Sequence, residues 1–314
     1  MPNRADGITP GKIRRTSTAS ISSLQPDNGQ FADEAGLERL MVTGLIVSQE
    51  EAVRVWIKER TSQAQASFFP SVRPVYRATP SGIAEAIGSA FLLRVDGKRY
   101  FVTAAHVLDL NQQATLYVAG SNALEPIAGI AGITRAPASG RVDDKFDFAF
   151  MELSDDFSSR LGVDAFIDAN EISQNRGTLD GRCFMALGYP ASRNKSKPIS
   201  VTGTHVRGKA WAYSATTYTD EKVFNVLGAS QDWHLLLKFA KKSKAFTGEV
   251  TASITPHGAS GGVLIDLGRI DPQSFSPTAQ FTPRLAGILI EHHAASKAIL
   301  AVKIQAIIEA IRKL

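Results

Sequence analysis

Gly88-Ser-Ala-Phe-Leu-Leu-Arg-Val-Asp-Gly-Lys-Arg-Tyr-Phe-Val-Thr-Ala-Ala-His106 is the stretch that decides how this chain is read. Residues 88–95 and 99–103 are apolar and β-prone, and Asp96-Gly97 between them is the dipeptide that a tight hairpin turn favours. The second strand runs out through small residues into His106, which places an imidazole where a strand ends. Outward from this hairpin the texture persists from about 72 to 290. Short β-rich runs at 114–119, 146–152, 182–188, 199–206, 233–239, 261–266 and 285–290 alternate with turn residues. Many short strands at this spacing, with few long helices, predict an all-β fold of the barrel or sandwich kind.

The two ends read differently. Residues 1–30 are rich in Ser, Thr, Pro, Gly and Asn and are expected to form a flexible tail. Residues 31–66 predict a helical N-terminal extension of two helices. Leu37, Leu40, Met41 and Leu45 recur at helical spacing in the first, and Ser48-Gln-Glu-Glu51 is a capping box opening the second, ahead of Val53, Trp56 and Ile57. Pro70 and Pro74 then end the helical region. At the far end Leu300, Ile304, Ile307, Ile308, Ile311 and Leu314 mark one face of a terminal helix. The expected β units between are 70–175 and 180–314, the second closing on that helix.

The chain has 314 residues, and 44% of them are apolar, enough for a substantial core. Its net charge of +5 is mild, and Lys and Arg are spread along it apart from small clusters such as Lys241, Lys242 and Lys244. No base-reading motif accompanies them, so a nucleic-acid partner is not expected. Cys183, the single cysteine, lies in an apolar strand-like run and reads as a buried structural thiol. The N-terminus lacks a secretory signal and no window approaches 18 uninterrupted apolar residues, so a cytoplasmic protein with no membrane span is expected. H-E-x-x-H, paired-Cys and Walker motifs are absent, and no metal or cofactor is called for.

A second stretch, Thr255-Pro-His-Gly-Ala-Ser-Gly-Gly-Val-Leu-Ile-Asp266, sets a serine among glycines. Alone it describes any turn. The chain also carries a base candidate in His106 and an acid candidate in Lys145-Phe-Asp-Phe-Ala-Phe-Met151, where Asp147 interrupts an aromatic strand. A buried carboxylate needs a partner, and an imidazole N–H supplies one at little cost. Asp143 and Asp144 are rivals, but a polar loop explains them; histidines 205, 234, 257, 292 and 293 lack the strand-end setting of His106. The order His106, Asp147, Ser260 matches one of the known triad arrangements.

Together, Gly88-Ser-Ala-Phe-Leu-Leu with Val-Thr-Ala-Ala-His106, Asp147-Phe-Ala-Phe and Gly258-Ala-Ser260-Gly-Gly resemble the three signature motifs of chymotrypsin/trypsin-like serine peptidases. The resemblance covers roughly residues 72–312, including Gly188-Tyr-Pro190 and the closing helix. It implies two six-stranded antiparallel β-barrels with a cleft between them, His106 and Asp147 from the first and Ser260 from the second. It also implies a hydrolase acting on a protein or peptide substrate, with the backbone N–H groups of Gly258 and Ser260 as the oxyanion hole.

The chain departs from that pattern at Ala259, where secreted digestive members carry an Asp that pairs with a new N-terminal amine. Activation by that ion pair is not expected. The protein is then either permanently competent or gated by its N-terminal helices or a regulatory protein partner; equally, those helices simply cover the barrel. Ile254 is expected near the floor of the specificity pocket, which disfavours cleavage after Lys or Arg and favours an apolar or small residue. His257 and His292 are expected at the pocket rim, where they would favour an acidic residue; plain surface histidines are the simpler reading. Gly258-Ala-Ser-Gly-Gly262 also fits the serine elbow of α/β-hydrolases, but Val263-Leu-Ile-Asp-Leu267 reads as strand where that elbow needs a helix. The alternative that stays open is a trypsin-like fold kept as a binding or scaffold module, weakly catalytic or inactive.

Overall fold

The computed structural model describes residues 48–161, 166–174, 178–194, 199–200, 208–244, 250–276 and 279–313. The tail expected over 1–30, the first expected helix and Leu314 lie outside the described residues. The first sheet contains β1 (Val72–Ala78), β2 (Ile83–Val95), β3 (Lys98–Ala104), β4 (Leu116–Ala119), β5 (Leu124–Pro126), β6 (Ala131–Ile133) and β7 (Phe148–Glu152), in the order β5-β4-β1-β2-β3-β7-β6. The second is built from β8 (Arg182–Gly188), then β10 (Trp211–Thr216), β11 (His234–Lys238), β14 (Val263–Arg269), β15 (Arg284–His293) and β16 (Ala298–Lys303), in the order β10-β8-β14-β15-β16-β11. Between them in the chain, β9 (Ile199–Ser200) adds to β2, while β12 (Lys242–Lys244) and β13 (Val250–Ala252) pair with each other. Neighbouring strands of both sheets run antiparallel.

The opening hairpin forms as its residues require: Asp96 and Gly97 both take positive φ (49° and 82°), the pattern whose twist suits two-residue turns. Alternation along the strands gives each sheet two apolar faces. In β2, Ala90 and Leu92 join the interior of the first sheet with Val75, Phe101 and Leu116. Phe91 and Leu93 join a larger cluster shared with Met185, Leu187, Val263 and Ile288 of the second. Phe184, Leu235, Leu264 and Leu289 fill the second sheet's own interior. Residues 88–93 of β2 and most of β3, β8, β14, β15 and β16 are thus buried on both sides, which is why these segments read as continuous apolar runs rather than strict alternation. The connection between the sheets is stitched to both: Ile167 bridges to Leu93 and Ile172 to Leu285.

The N-terminal helix, Gln49–Phe68, is capped by Ser48, whose hydroxyl accepts from Glu51 N–H at 3.2 Å. It packs on the second sheet through buried Trp56, Ala64 and Phe68, which belong to the shared cluster. Arg60 lies between the rings of Trp56 and Phe281, 4.3 Å from each, and donates to Leu267 O at 2.9 Å. Burial lowers its pKa, against the pull of Asp271. The apolar face bearing Trp56 and Ile57 is therefore covered by this chain's own sheet.

Two expectations need correcting. The terminal helix begins at Ile304, not at Leu300, because residues 298–303 form β16; a short apolar run suits either period, and pairing with β11 and β15 made it strand. Pro74 does not simply end a helix but sits inside β1 opposite Ser89. It is tolerated because pairing of β1 with β4 covers only Val75–Arg77. Among the described residues no helix is long and apolar enough to cross a membrane.

Candidate active site

Sheet register brings the first two site residues together. Ala104 at the end of β3 faces Phe148 at the start of β7. His106, in the short helix Ala105–Asp109, and Asp147, just before β7, are therefore neighbours although 41 positions apart in the chain. The Asp147 carboxylate grips His106 twice. One oxygen accepts from the His106 backbone N–H at 2.9 Å, and the other meets Nδ1 at 2.5 Å. Asp147 O also accepts from Ala105 N–H at 3.0 Å. Asp147 holds a left-handed φ of 34°, a conformation that Asp tolerates better than most residues. Its side chain is buried while that of His106 is 39% exposed, so the imidazole edge facing away from the carboxylate reaches the cavity.

Ser260 lies in the turn ahead of β14, latched to β15 by Gly261 N–H on Leu289 O at 2.7 Å and Leu289 N–H on Gly262 O at 2.8 Å. Its Oγ donates to Ile290 O at 3.0 Å. The turn needs its glycines: a Cβ on Gly261, at φ +85°, would stand 1.9 Å from Ser89 O, and one on Gly262 2.4 Å from Leu187 O.

The carbonyls of this turn are anchored one after another. His257 O accepts from Ala191 N–H at 2.7 Å, Ala259 O from Gly262 N–H at 2.9 Å, and Ser260 O from Ser89 N–H at 2.8 Å. Gly258 O accepts from the Ser89 hydroxyl at 3.1 Å. In a planar trans peptide the N–H points opposite to the C=O of the same unit. With the His257 and Ala259 carbonyls held, the N–H groups of Gly258 and Ser260 face the other way. Among the described residues neither has a protein acceptor, whereas Ala259 N–H between them bonds Pro256 O at 2.8 Å.

His106, Asp147 and Ser260 line one cavity of about 410 Å³. The first sheet's side adds Arg141, Val142 and Asp144; the second adds Pro256, His257, Ala259, Leu289, Ile290, Glu291, His292 and Ile299. Of the residues expected in the specificity pocket, His257 and His292 lie here. Ile254 does not line the cavity; it is half-buried and packs on the second sheet's interior. His292 stands edge-on to Phe239 with ring centres 4.8 Å apart. Its Nε2 is buried with no partner among the described residues. Burial lowers its pKa, and His257, His293 and Lys241 push the same way.

Several contributors had no signal in the sequence. Asp144, read as a loop residue, is buried and accepts from Arg141 at 2.6 Å and from the Thr134 hydroxyl at 2.7 Å. Burial alone would raise its pKa, but these bonds outweigh it and the net shift is downward. Lys145, two residues before Asp147, pairs with Glu291 at 3.1 Å, and its carbonyl accepts from His234 Nε2–H at 2.8 Å. The segment carrying Asp147 is thereby tied to the second sheet. All these partners are distant in sequence, and no local pattern announces them.

No family model and no curated protein matches the chain. Among solved structures it is similar to the serine protease domain of the Sesbania mosaic virus polyprotein, at 13% identity and TM-score 0.39, over 75% of this chain and 90% of that one. It is also similar to the HtrA-type protease AlgW with tripeptide, at 16% identity and TM-score 0.42, over 81% of this chain and 62% of that one. By its own sheet topology the chain is all-β: two antiparallel β units, with the cavity lined from both.

Proposed function

We propose that this chain is a serine endopeptidase acting on protein or peptide substrates. One observation carries the reading: His106, already paired with Asp147, and Ser260, flanked by two uncommitted backbone N–H groups, line the same cavity. The chemistry follows from those positions. Ser260 Oγ leaves the Ile290 carbonyl, gives its proton to His106 Nε2 and attacks the scissile carbonyl. Asp147 keeps the imidazole Nδ1-protonated and stabilises the imidazolium that forms. The Gly258 and Ser260 N–H groups meet the developing oxyanion, and His106 then protonates the leaving amine. Water releases the acyl group by the same steps in reverse.

Pairing of β14 with β15 ends at Ile288, so Glu291 and His292 lie on β15 beyond its partner and beside the cavity. A substrate strand adds here by backbone pairing. Val142, Pro256, Ala259, Leu289, Ile290 and Ile299 make the cavity mainly apolar, and His292, with its lowered pKa, is neutral near pH 7. Both favour an apolar or small residue before the scissile bond. A peptide library tests this; selection of acidic residues, abolished by His292→Leu, would assign the histidines the alternative role.

The test of the activity is labelling by a fluorophosphonate probe. The expected result is one label on the wild type, lost in Ser260→Ala and in His106→Ala while both stay folded. A folded wild type that takes no label would establish the binding or scaffold module instead.

A further inference from the structure

We propose that Ser89, a residue of the first sheet, is the positioning residue for the oxyanion donors carried by the second. The inference rests on the peptidase reading above. Ser89 is fully buried on β2, and each of its polar atoms is engaged at the nucleophile turn or beside it. Its N–H donates to Ser260 O at 2.8 Å. Its hydroxyl donates to Gly258 O at 3.1 Å and accepts from Tyr189 N–H at 2.8 Å. Its carbonyl accepts from the Thr103 hydroxyl at 2.7 Å.

The physical need for such a residue lies in Gly258. Its φ of +86° is open to glycine, and a Cβ there would stand 2.6 Å from Ala191 N. Yet glycine is the residue least able to hold any one conformation by itself. Ala191 N–H fixes the peptide before Gly258, and the Ser89 hydroxyl fixes the peptide after it. With both carbonyls anchored the Gly258 dihedrals are set and its N–H stays turned to the cavity. Without the hydroxyl, the Gly258–Ala259 peptide keeps only the Ala259 N–H bond to Pro256 O, the Gly258 dihedrals loosen, and the donor peptide before it is left to its single bond from Ala191 N–H. Ala259 is uncharged and offers no ion pair for the task. The donors are therefore aligned as soon as the two sheets dock, and activity needs no prior cleavage of the chain.

The test compares Ser89→Ala, Ser89→Thr, Ser260→Ala and Thr61→Val with the wild type on a cleaved peptide. Thr61 supplies the control, because its buried hydroxyl bonds Ser214 Oγ at 2.7 Å and none of its partners lines the cavity. Ser89→Ala is expected to lower kcat by about tenfold to a hundredfold, less than outright removal of an oxyanion donor, with KM nearly unchanged. The acidic limb of the pH profile should not move, because the His106–Asp147 pair is untouched. Ser89→Thr should restore most of kcat, and Thr61→Val should lose thermal stability but not kcat. Wild-type kcat in Ser89→Ala overturns the proposal, as does an equal loss in Thr61→Val, which would mark a general stability effect. Should Ser89→Ala not fold, Ser89→Cys replaces it, because a thiol fills the site but hydrogen-bonds weakly, and wild-type kcat there is equally fatal. A folded wild type with no activity and no Ser260 label brings down the peptidase reading itself, and this inference with it.

Discussion

Replacing Asp147 with Asn tests the core of the chemistry with little disturbance of shape. Asn is isosteric, tolerates the left-handed φ of 34° about as well, and its oxygen can still accept from His106 N–H. The other contact reverses. The amide nitrogen now faces His106 Nδ1 and donates to it, so the imidazole carries its proton on Nε2 and presents no base to Ser260. Relative to the wild type, the useful tautomer has lost its hydrogen bond to a charged group, about 1.5–3 kcal/mol, and leaves a buried donor unsatisfied, about 1–3 kcal/mol more. The sum, about 2.5–6 kcal/mol, corresponds to roughly a hundredfold to ten-thousandfold in rate. The assay is steady-state hydrolysis of a cleaved peptide, with thermal unfolding as the check on integrity. We expect kcat to fall in that range while the melting temperature moves by a few degrees. A folded Asp147→Asn enzyme within about threefold of wild-type kcat would refute the assignment of Asp147 as the residue that sets the His106 tautomer.

Gly261→Ala should destabilise the protein by about 3 kcal/mol or more in urea unfolding, because the new methyl would meet Ser89 O at 1.9 Å and the backbone is at φ +85°; unchanged stability would show that the turn is not held against β2. His234 is buried, donates from Nε2 to Lys145 O and accepts at Nδ1 from Ser230 N–H, and burial lowers its pKa below 6.5. The unfolded chain therefore takes up the proton first as pH falls, so this contribution is complete above about pH 6.5 and declines below it, by at most about 1.4 kcal/mol per pH unit. The decline should be shallower in His234→Asn, and equal slopes between about pH 7 and pH 5 would contradict the assignment. Trp56→Ala should cost about 3 kcal/mol, since it empties a site in the shared cluster and removes the bond to Ser274 O; an unchanged melting temperature would favour the reading of the N-terminal helices as a gate over that of a simple cover.

The three motifs were legible because each is local. A strand ending in Ala-Ala-His, an Asp among aromatics and a Ser among glycines are patterns that backbone conformation imposes on a few consecutive residues. The β texture was legible for the same reason, as were the Asp96-Gly97 turn and the Ser48 cap. Where two local readings fit one segment, the sequence had no means of choosing. Residues 298–303 fit a helix or a strand, and pairing with β11 and β15 decided. Pro74 read as the end of a helical region, yet it lies inside β1, where the gap in pairing with β4 accommodates it. What covers Trp56 also had to await the second sheet. The cavity depended most on tertiary structure. Its walls join residues more than a hundred positions apart, and Ser89 reaches Gly258 across the junction of the two sheets. A composition or a period records what one residue asks of its neighbours in the chain. It holds no record of which carbonyl will stand opposite a buried hydroxyl once both sheets have closed on a shared core.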